Sequence, residues 1–156
     1  MTDDRSPAQH AASIDAARQR LLSFVRQCPE DSWTAAPLDG DPRPVGVVLD
    51  HVAHSYEYLT GWMQDILAGR PVEVSADIVD MHNAQHAEQR AGVSQAQAAD
   101  RLRASGDILI ALVAGLDASQ LDAGEGRIAA FAQIAARHAD SHRADIEAAL
   151  AGRPGA

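Results

Sequence analysis

The chain has 156 residues, which is enough for one domain with a hydrophobic core but too few for two ordinary ones, so we expect a single domain over residues 1–156. The formal net charge is −9 and all 13 basic residues are arginine, with no basic stripe, which argues against a nucleic-acid-binding protein. No stretch approaches the roughly 18 apolar residues of a membrane-spanning helix, and the N-terminus lacks the pattern of a signal peptide. A cytoplasmic protein is therefore expected, with flexible ends at residues 1–6 and 152–156.

The first predicted helix begins at Ser6, a preferred N-cap residue that is followed by proline at the first helical position. It ends before Pro29. Cys28, the only cysteine, is expected to be a small core or boundary residue, and a lone cysteine excludes an intrachain disulfide. Residues 29–43 form a turn-rich loop, which Trp33 is expected to anchor.

The second predicted helix begins at Pro44 and ends near Ala68, with Gly69 as its C-terminal cap. His51 lies at the edge of its inward stripe. This helix is crowded with large side chains: Tyr56, Leu59, Trp62, Met63 and Ile66. One inward stripe cannot bury all of them, so we expect a second copy to cover the remainder in a homodimer.

A long crossover follows, containing an extended connector and a polar helix from about Ala76 to Arg90 that is broken at Gly92. Ser94 and Gln97 form a capping box, which predicts the start of a third long helix. The apolar positions of that helix are Leu102, Ile108, Leu109, Leu112 and Leu116.

The last helix completes the chain to about Ala151, after a turn over residues 117–126. Its predicted inward positions are Ile128, Phe131, Ala135, His138, His142 and Ala149. Strand-like alternation is absent from the sequence, so we predict an all-α fold, a four-helix bundle. The long crossover, with its own short helix, favours an up-down-down-up order over plain up-down-up-down.

Two histidines interrupt the apolar stripe of the last helix. His138 and His142 lie four residues apart, which places their Cβ atoms roughly 6 Å from each other on one helix face. Two imidazoles in this arrangement can chelate one cation. A buried imidazole without a partner costs a few kcal/mol, so the pair indicates either a metal or hydrogen-bonded carboxylates.

Chance spacing is the simpler alternative, because the chain contains seven histidines. His82 and His86 form a second pair at the same spacing, but acidic and amide residues surround them, which is typical of a solvated helix face. His54 is also near acidic residues, Asp50 and Glu57. These three histidines are interpreted as residues of a solvated helix face, or as rim residues and proton carriers if a metal is bound.

Three segments resemble the DinB/YfiT-like family of metalloproteins, which is related to the N-terminal domains of mycothiol-dependent maleylpyruvate isomerases. The first is Trp33 followed by Gly40-Asp-Pro-Arg-Pro-Val-Gly-Val-Val-Leu-Asp-His51-Val-Ala, ahead of a long helix. The second is His138-x-x-x-His142-Arg. Asp80-Met-His-Asn83 followed by Ser94 resembles the helix entry of the mycothiol-dependent relatives.

The resemblance implies a four-helix bundle, often dimeric, with one divalent metal ion held by three side chains. Carried over by position, these are His51, His138 and His142. The maleylpyruvate isomerases have Glu where this chain has His138, so the likeness favours the three-histidine branch over mycothiol dependence.

Three neutral imidazoles would leave a divalent ion its full charge and an open position. We therefore expect either a metal-dependent hydrolase or a transferase that uses a low-molecular-weight thiol, acting on a small molecule. Zinc, nickel and iron all suit imidazole ligands, so the metal's identity stays open. Candidate acceptors for the remaining ring nitrogens are Asp50, Asp140, Asp145 and Asn83. The alternatives are a non-catalytic module with a structural or sensory metal, and a metal-free helical scaffold.

Overall fold

The computed structural model describes residues 4–153, and within that range every regular element is a helix. The seven helices are α1 (Pro7–Gln27), α2 (Glu30–Trp33), α3 (Val45–Leu67), α4 (Ala76–Gln89), α5 (Gln95–Ala114), α6 (Ala118–Leu121) and α7 (Arg127–Ala151). The predicted all-α class is confirmed. Within this range no helix is both long and apolar enough to cross a membrane. The predicted flexible ends lie partly outside the described residues, at 1–3 and 154–156.

Helix ends follow local signals in the sequence. The Ser6 side chain accepts a hydrogen bond from the backbone N–H of Gln9, whose own side chain accepts from the Ser6 N–H, so α1 begins with a capping box. Ser94 and Gln97 form the same arrangement at the start of α5, as predicted. Each box satisfies donors that a helix N-terminus would otherwise leave unpaired.

The four long helices, α1, α3, α5 and α7, pack around one hydrophobic core. Helix α1 contacts α5 and α7, and α3 contacts the same two helices from the other side, while the shorter α4 lies against α3. Small side chains let α7 approach its neighbours closely, since Ala132, Ala135 and Ala139 are all buried. This packing places the inward faces of α3 and α7 opposite each other.

Some predicted core positions were wrong by part of a helical turn. Ile108 is 60% exposed, and Val113 is buried further along α5. In α7 the predicted inward residue Ala149 is only half-buried, whereas Ile146 is fully buried. A helix of 3.6 residues per turn drifts relative to a regular spacing of three or four, so an assignment made from one end loses register along its length.

The large side chains of α3 are mostly covered within one chain. Of the five that motivated the homodimer, Tyr56, Leu59 and Met63 are 0–2% exposed, and Trp62 and Ile66 are half-buried at the edge of the core. The apolar surplus that motivated the predicted homodimer is therefore smaller than the sequence indicated. The homodimer itself stays a prediction.

Trp33 anchors the loop before α3, as predicted. Its side chain is 5% exposed, and its indole Nε1–H donates to the Val93 carbonyl oxygen, 2.9 Å away, just before α5. The indole also lies directly over Gly46 in the first turn of α3. The chain entering α3 is thus fixed to the start of α5.

We expect Gly46→Ala to destabilise the protein by about 1–3 kcal/mol. The added Cβ would lie 2.5 Å from the Trp33 indole, which is buried and cannot move aside freely. Gly61→Ala is the matched control on the same helix, because a Cβ there meets nothing within 4 Å. Removing backbone freedom should make that variant equal to the wild type or more stable by up to about 1 kcal/mol. Urea unfolding of both variants tests this, and equal midpoints would contradict it.

Candidate metal centre

Three histidines from two helices meet at one point between α3 and α7. His51 lies in the second turn of α3, and His138 and His142 lie one turn apart in α7. One nitrogen from each ring lies within 4.8 Å of the other two. The Nε2 atoms of His51 and His138 are 2.9 Å apart, and the rings of His138 and His142 are 4.3 Å apart between centroids. The predicted convergence of these three side chains is confirmed.

The surroundings keep these imidazoles uncharged. Burial lowers the pKa of His51 to about 2, assisted by the neighbouring His138 and His142. Burial likewise lowers the pKa of His138 to about 4, and it lowers the pKa of His142. A neutral imidazole is the form that binds a metal ion, since one ring nitrogen then carries a free lone pair.

Arg43 contributes to the same electrostatics, although the sequence analysis did not single it out. It lies in the loop before α3 and pairs with Asp41, with 2.7 Å between its Nη2 and the Asp41 Oδ2. Its positive charge lowers the pKa of each of the three clustered histidines, His51, His138 and His142, after the larger effect of burial. Arg43 and Asp41 therefore form one side of the centre.

The prediction that His86 lies on a solvated face was wrong. The residue is 1% exposed, and its Nε2 lies 2.7 Å from Oδ2 of Asp50, which is equally buried. The His86 ring also lies 5.9 Å from that of His51, between centroids. Its exposed neighbours are on the outer face of α4, whereas His86 faces α3.

Asp50 is the hub of this buried polar network. Besides His86, its carboxylate accepts hydrogen bonds from Arg90, with Nε 3.0 Å away, and from Arg101, with Nη1 3.0 Å away. Burial alone would raise the pKa of Asp50, but the bonds from His86 and Arg90 and the charges of both arginines outweigh it and lower the pKa to about 2. Asp50 is therefore ionised at neutral pH.

The other predicted acceptors have different partners. Asp140 pairs with Arg20, 2.7 Å between Nη2 and Oδ2, and with Arg143. The negative charge of Asp145 acts on His142, opposing the fall in its pKa. Oδ1 of Asn83 is buried without a hydrogen bond to any described residue.

His54 and His82 lie beyond the centre, where the sequence favoured a solvated helix face. His54 stacks on His86 with 5.0 Å between ring centroids, and His82 stacks on Tyr58 at 5.5 Å. Both side chains are half-buried. Neither belongs to the group of three converging ligands.

The centre does not coincide with the open groove between α1 and α7. That groove has a volume of about 880 Å³ and is lined by residues such as Arg20, Arg137 and Asp140, but by none of the three histidines. It is shallow and polar, whereas the histidines combine burial with convergent donors. The chemistry of the donors makes the histidine cluster the candidate site.

The sequence model of one protein family, the DinB superfamily, matches residues 13–146 of the chain. The chain belongs to the DinB superfamily. No match is found among curated proteins or among solved structures. All three converging histidines of this DinB protein lie within the matched range, as do Asp50 and His86.

Acid should destabilise the metal-free DinB protein. The pKa of His51, about 2, and that of His138, about 4, lie below the ordinary 6.5, so below pH 6.5 the unfolded chain takes up protons that the folded chain does not. Stability is therefore full above pH 6.5 and falls with pH, by about 1.4 kcal/mol per pH unit for each such histidine. Urea unfolding with a chelator at about pH 7.5 and about pH 5.5 measures this. His51→Gln should reduce the slope, and an unchanged free energy of unfolding at the two pH values would contradict the prediction.

Proposed function

We propose that this DinB protein binds a divalent metal ion through His51, His138 and His142 and is a metal-dependent enzyme. The observation that carries the proposal is the convergence of three neutral imidazoles within 4.8 Å. His51 and His138 could share one proton between their Nε2 atoms, but Nε2 of His142 is buried with no hydrogen bond to any residue between 4 and 153. A cation satisfies all three lone pairs at once, which one proton cannot do.

The donor set favours catalysis over a purely structural role. Structural zinc sites use four protein ligands, whereas three histidines leave a position for a further ligand. When bound, the ion would supply a Lewis acid that activates water or a thiol. The protein contributes three uncharged imidazoles held on two helices, α3 and α7, and Arg43 adds positive charge beside them.

Two reaction classes follow from this chemistry: hydrolysis of a small molecule, and transfer of a low-molecular-weight thiol to an electrophile. Zinc, nickel and iron remain alternatives for the ion, since all bind imidazole. We propose that the protein acts in the cytoplasm, where such thiols are kept reduced.

Metal content and metal-dependent turnover test the proposal together. Purified protein should carry about one equivalent of metal by elemental analysis. Chelated protein should regain activity, against a panel of activated esters and thiol acceptors, with one of zinc, nickel or ferrous iron. His142→Ala is the control that should lose most of the bound metal and the turnover. Wild-type protein that binds no divalent metal would overturn the metal site, and stoichiometric metal with no open position for small ligands would favour the structural alternative.

We further propose that residues 1–156 form one domain, a four-helix bundle in up-down-down-up order. Contacts between the long helices support this order. In α1, Arg20 contacts Asp140 of α7, and the Val25 carbonyl oxygen near the end of α1 accepts a hydrogen bond from Gln95 at the start of α5. Trp62 of α3 contacts Phe131 early in α7, while His51 contacts His138 late in α7. These pairings suit α1 parallel to α7 and opposite to both α3 and α5.

We expect a homodimer in solution, with a mass of about twice 16.5 kDa. The half-buried Trp62 and Ile66 and the exposed Ile134, 38% accessible, support this proposal because they leave apolar surface near α3 and α7. Light scattering after gel filtration at micromolar concentration measures the mass. Trp62→Arg should shift the protein toward monomer, and a 16.5 kDa wild-type particle would contradict the proposal.

A further inference from the structure

One nitrogen of His51 is left over by the candidate metal centre. Its Nε2 faces His138, while its Nδ1 is buried without a hydrogen bond to any described residue. If Nε2 serves a metal ion, the ring proton must be on Nδ1, which becomes a donor. A buried donor without an acceptor is costly, so His51 requires an acceptor on that side.

His86 has the opposite need: one of its buried ring nitrogens has no hydrogen-bond donor. Its Nε2 lies 2.7 Å from the Asp50 carboxylate, which can only accept, so that nitrogen carries the ring proton. In a singly protonated ring, Nδ1 of His86 then carries a lone pair. That atom is also buried without a hydrogen bond among residues 4–153, on a side chain that is 1% exposed.

The two rings are neighbours. The rings of His51 and His86 are 5.9 Å apart between centroids and inclined by 61°. We propose that His86 is a positioning residue for the metal centre, whose Nδ1 accepts the Nδ1–H of His51 directly or through one water molecule. The hydrogen-bonded chain then runs from the metal ligand through His86 to Asp50. This inference rests on the proposed metal site.

Asp50 fixes one end of this chain of hydrogen bonds. Its carboxylate is also held by Arg90 and Arg101, so it cannot turn away from His86. Such outer contacts set the tautomer and orientation of a ligating imidazole, and their loss typically weakens metal binding by about 10- to 100-fold. The two ends of this hydrogen-bonded chain, Asp50 and His51, are adjacent residues of α3 that face different partners.

Two substitutions test the contributions of the two ring nitrogens of His86 separately. In His86→Gln the amide nitrogen can replace Nε2 and still donate to Asp50, but nothing replaces Nδ1. In His86→Asn the amide oxygen can replace Nδ1, while the bond to Asp50 is lost. We expect His86→Gln to bind zinc about 10- to 100-fold more weakly than wild type, and His86→Asn to stay within about threefold.

Zinc affinity of the full-length protein, measured by competition with a chromophoric chelator, is the readout. His82→Gln is the matched control on α4, because the His82 ring stacks on Tyr58. This variant should keep zinc affinity within about threefold of wild type. Wild-type affinity in His86→Gln would overturn the inference and leave the metal site standing. Equal weakening in both His86 variants would show that an acceptor at the Nδ1 position does not restore affinity, and would overturn the role of Nδ1. Wild-type protein that binds no zinc would overturn both proposals.

A second readout needs no metal and no variant. Long-range proton–nitrogen NMR of the metal-free protein distinguishes protonated from unprotonated ring nitrogens. His86 should carry its proton on Nε2, with Nδ1 bare. A proton on Nδ1 would leave His86 without an acceptor for His51 and would overturn the inference even if the variants failed to fold.

Discussion

Replacing His138 by alanine should remove most of the stabilisation that a divalent metal gives this DinB protein. A ligand that binds only the folded state at about 1,000 times its dissociation constant adds about 4 kcal/mol, or roughly 10 °C for a chain of this size. With one of three imidazoles gone, the increase in melting temperature on adding zinc should fall to a few degrees. Comparing each variant with its own chelated form removes the intrinsic cost of the substitution.

His82→Ala is the control for this experiment. It also removes an imidazole, but one that contacts Tyr58 and Trp62 instead of the metal centre, so the full increase on adding zinc should persist. His86→Ala would be a poor control, since its ring is buried beside His51. Equal increases on adding zinc for the His138 and His82 variants would contradict the ligand assignment.

Asp50→Asn should destabilise the protein by about 3 kcal/mol even without metal, because it removes the buried charge that Arg90 and Arg101 share. Breaking a fully buried ion pair costs about 3–5 kcal/mol, but these guanidinium groups are 30% and 24% exposed, which favours the lower end. The substitution keeps the side-chain volume, so no cavity contributes. Urea unfolding of the chelated protein at neutral pH measures the loss.

Glu57→Gln is the matched comparison. Glu57 also pairs with Arg101, 2.7 Å between Oε2 and Nη2, but its side chain is 44% exposed. Water screens such a pair, and its loss should cost about 1 kcal/mol or less. The Asp50 contribution is fully present above the ordinary pKa of 3.8 and disappears as pH falls toward about 2. Equal losses in the two variants at neutral pH would show that Asp50 is not the hub of the network.

Helix ends and the pairing of His138 with His142 could be predicted because local rules decide them. Ser6 and Ser94 cap helices through neighbours three residues away, and the spacing of His138 and His142 fixes their common face. Adding His51 to that pair depended on the family resemblance, because no local rule links α3 to α7.

The second layer of the centre could not be predicted in the same way. His86 and Asp50 are 36 residues apart, and the exposed polar neighbours of His86 concealed the one face of α4 that is buried. A signal was nevertheless present: His82, His86 and Arg90 recur every four residues, so these three side chains share one face of α4. The position of Arg43 depends on loop geometry, which hydrophobic periodicity does not specify.

The buried Cys28 has a practical consequence for assays of thiol chemistry. It is the only cysteine, it is 6% exposed, and burial raises the pKa of its thiol. The native protein should therefore react slowly with thiol-specific dyes. A dye that reports free thiols would then follow consumption of an added thiol substrate against almost no background from the enzyme. Covalent labelling that appears on heating would in turn report unfolding that exposes the α1–α2 junction.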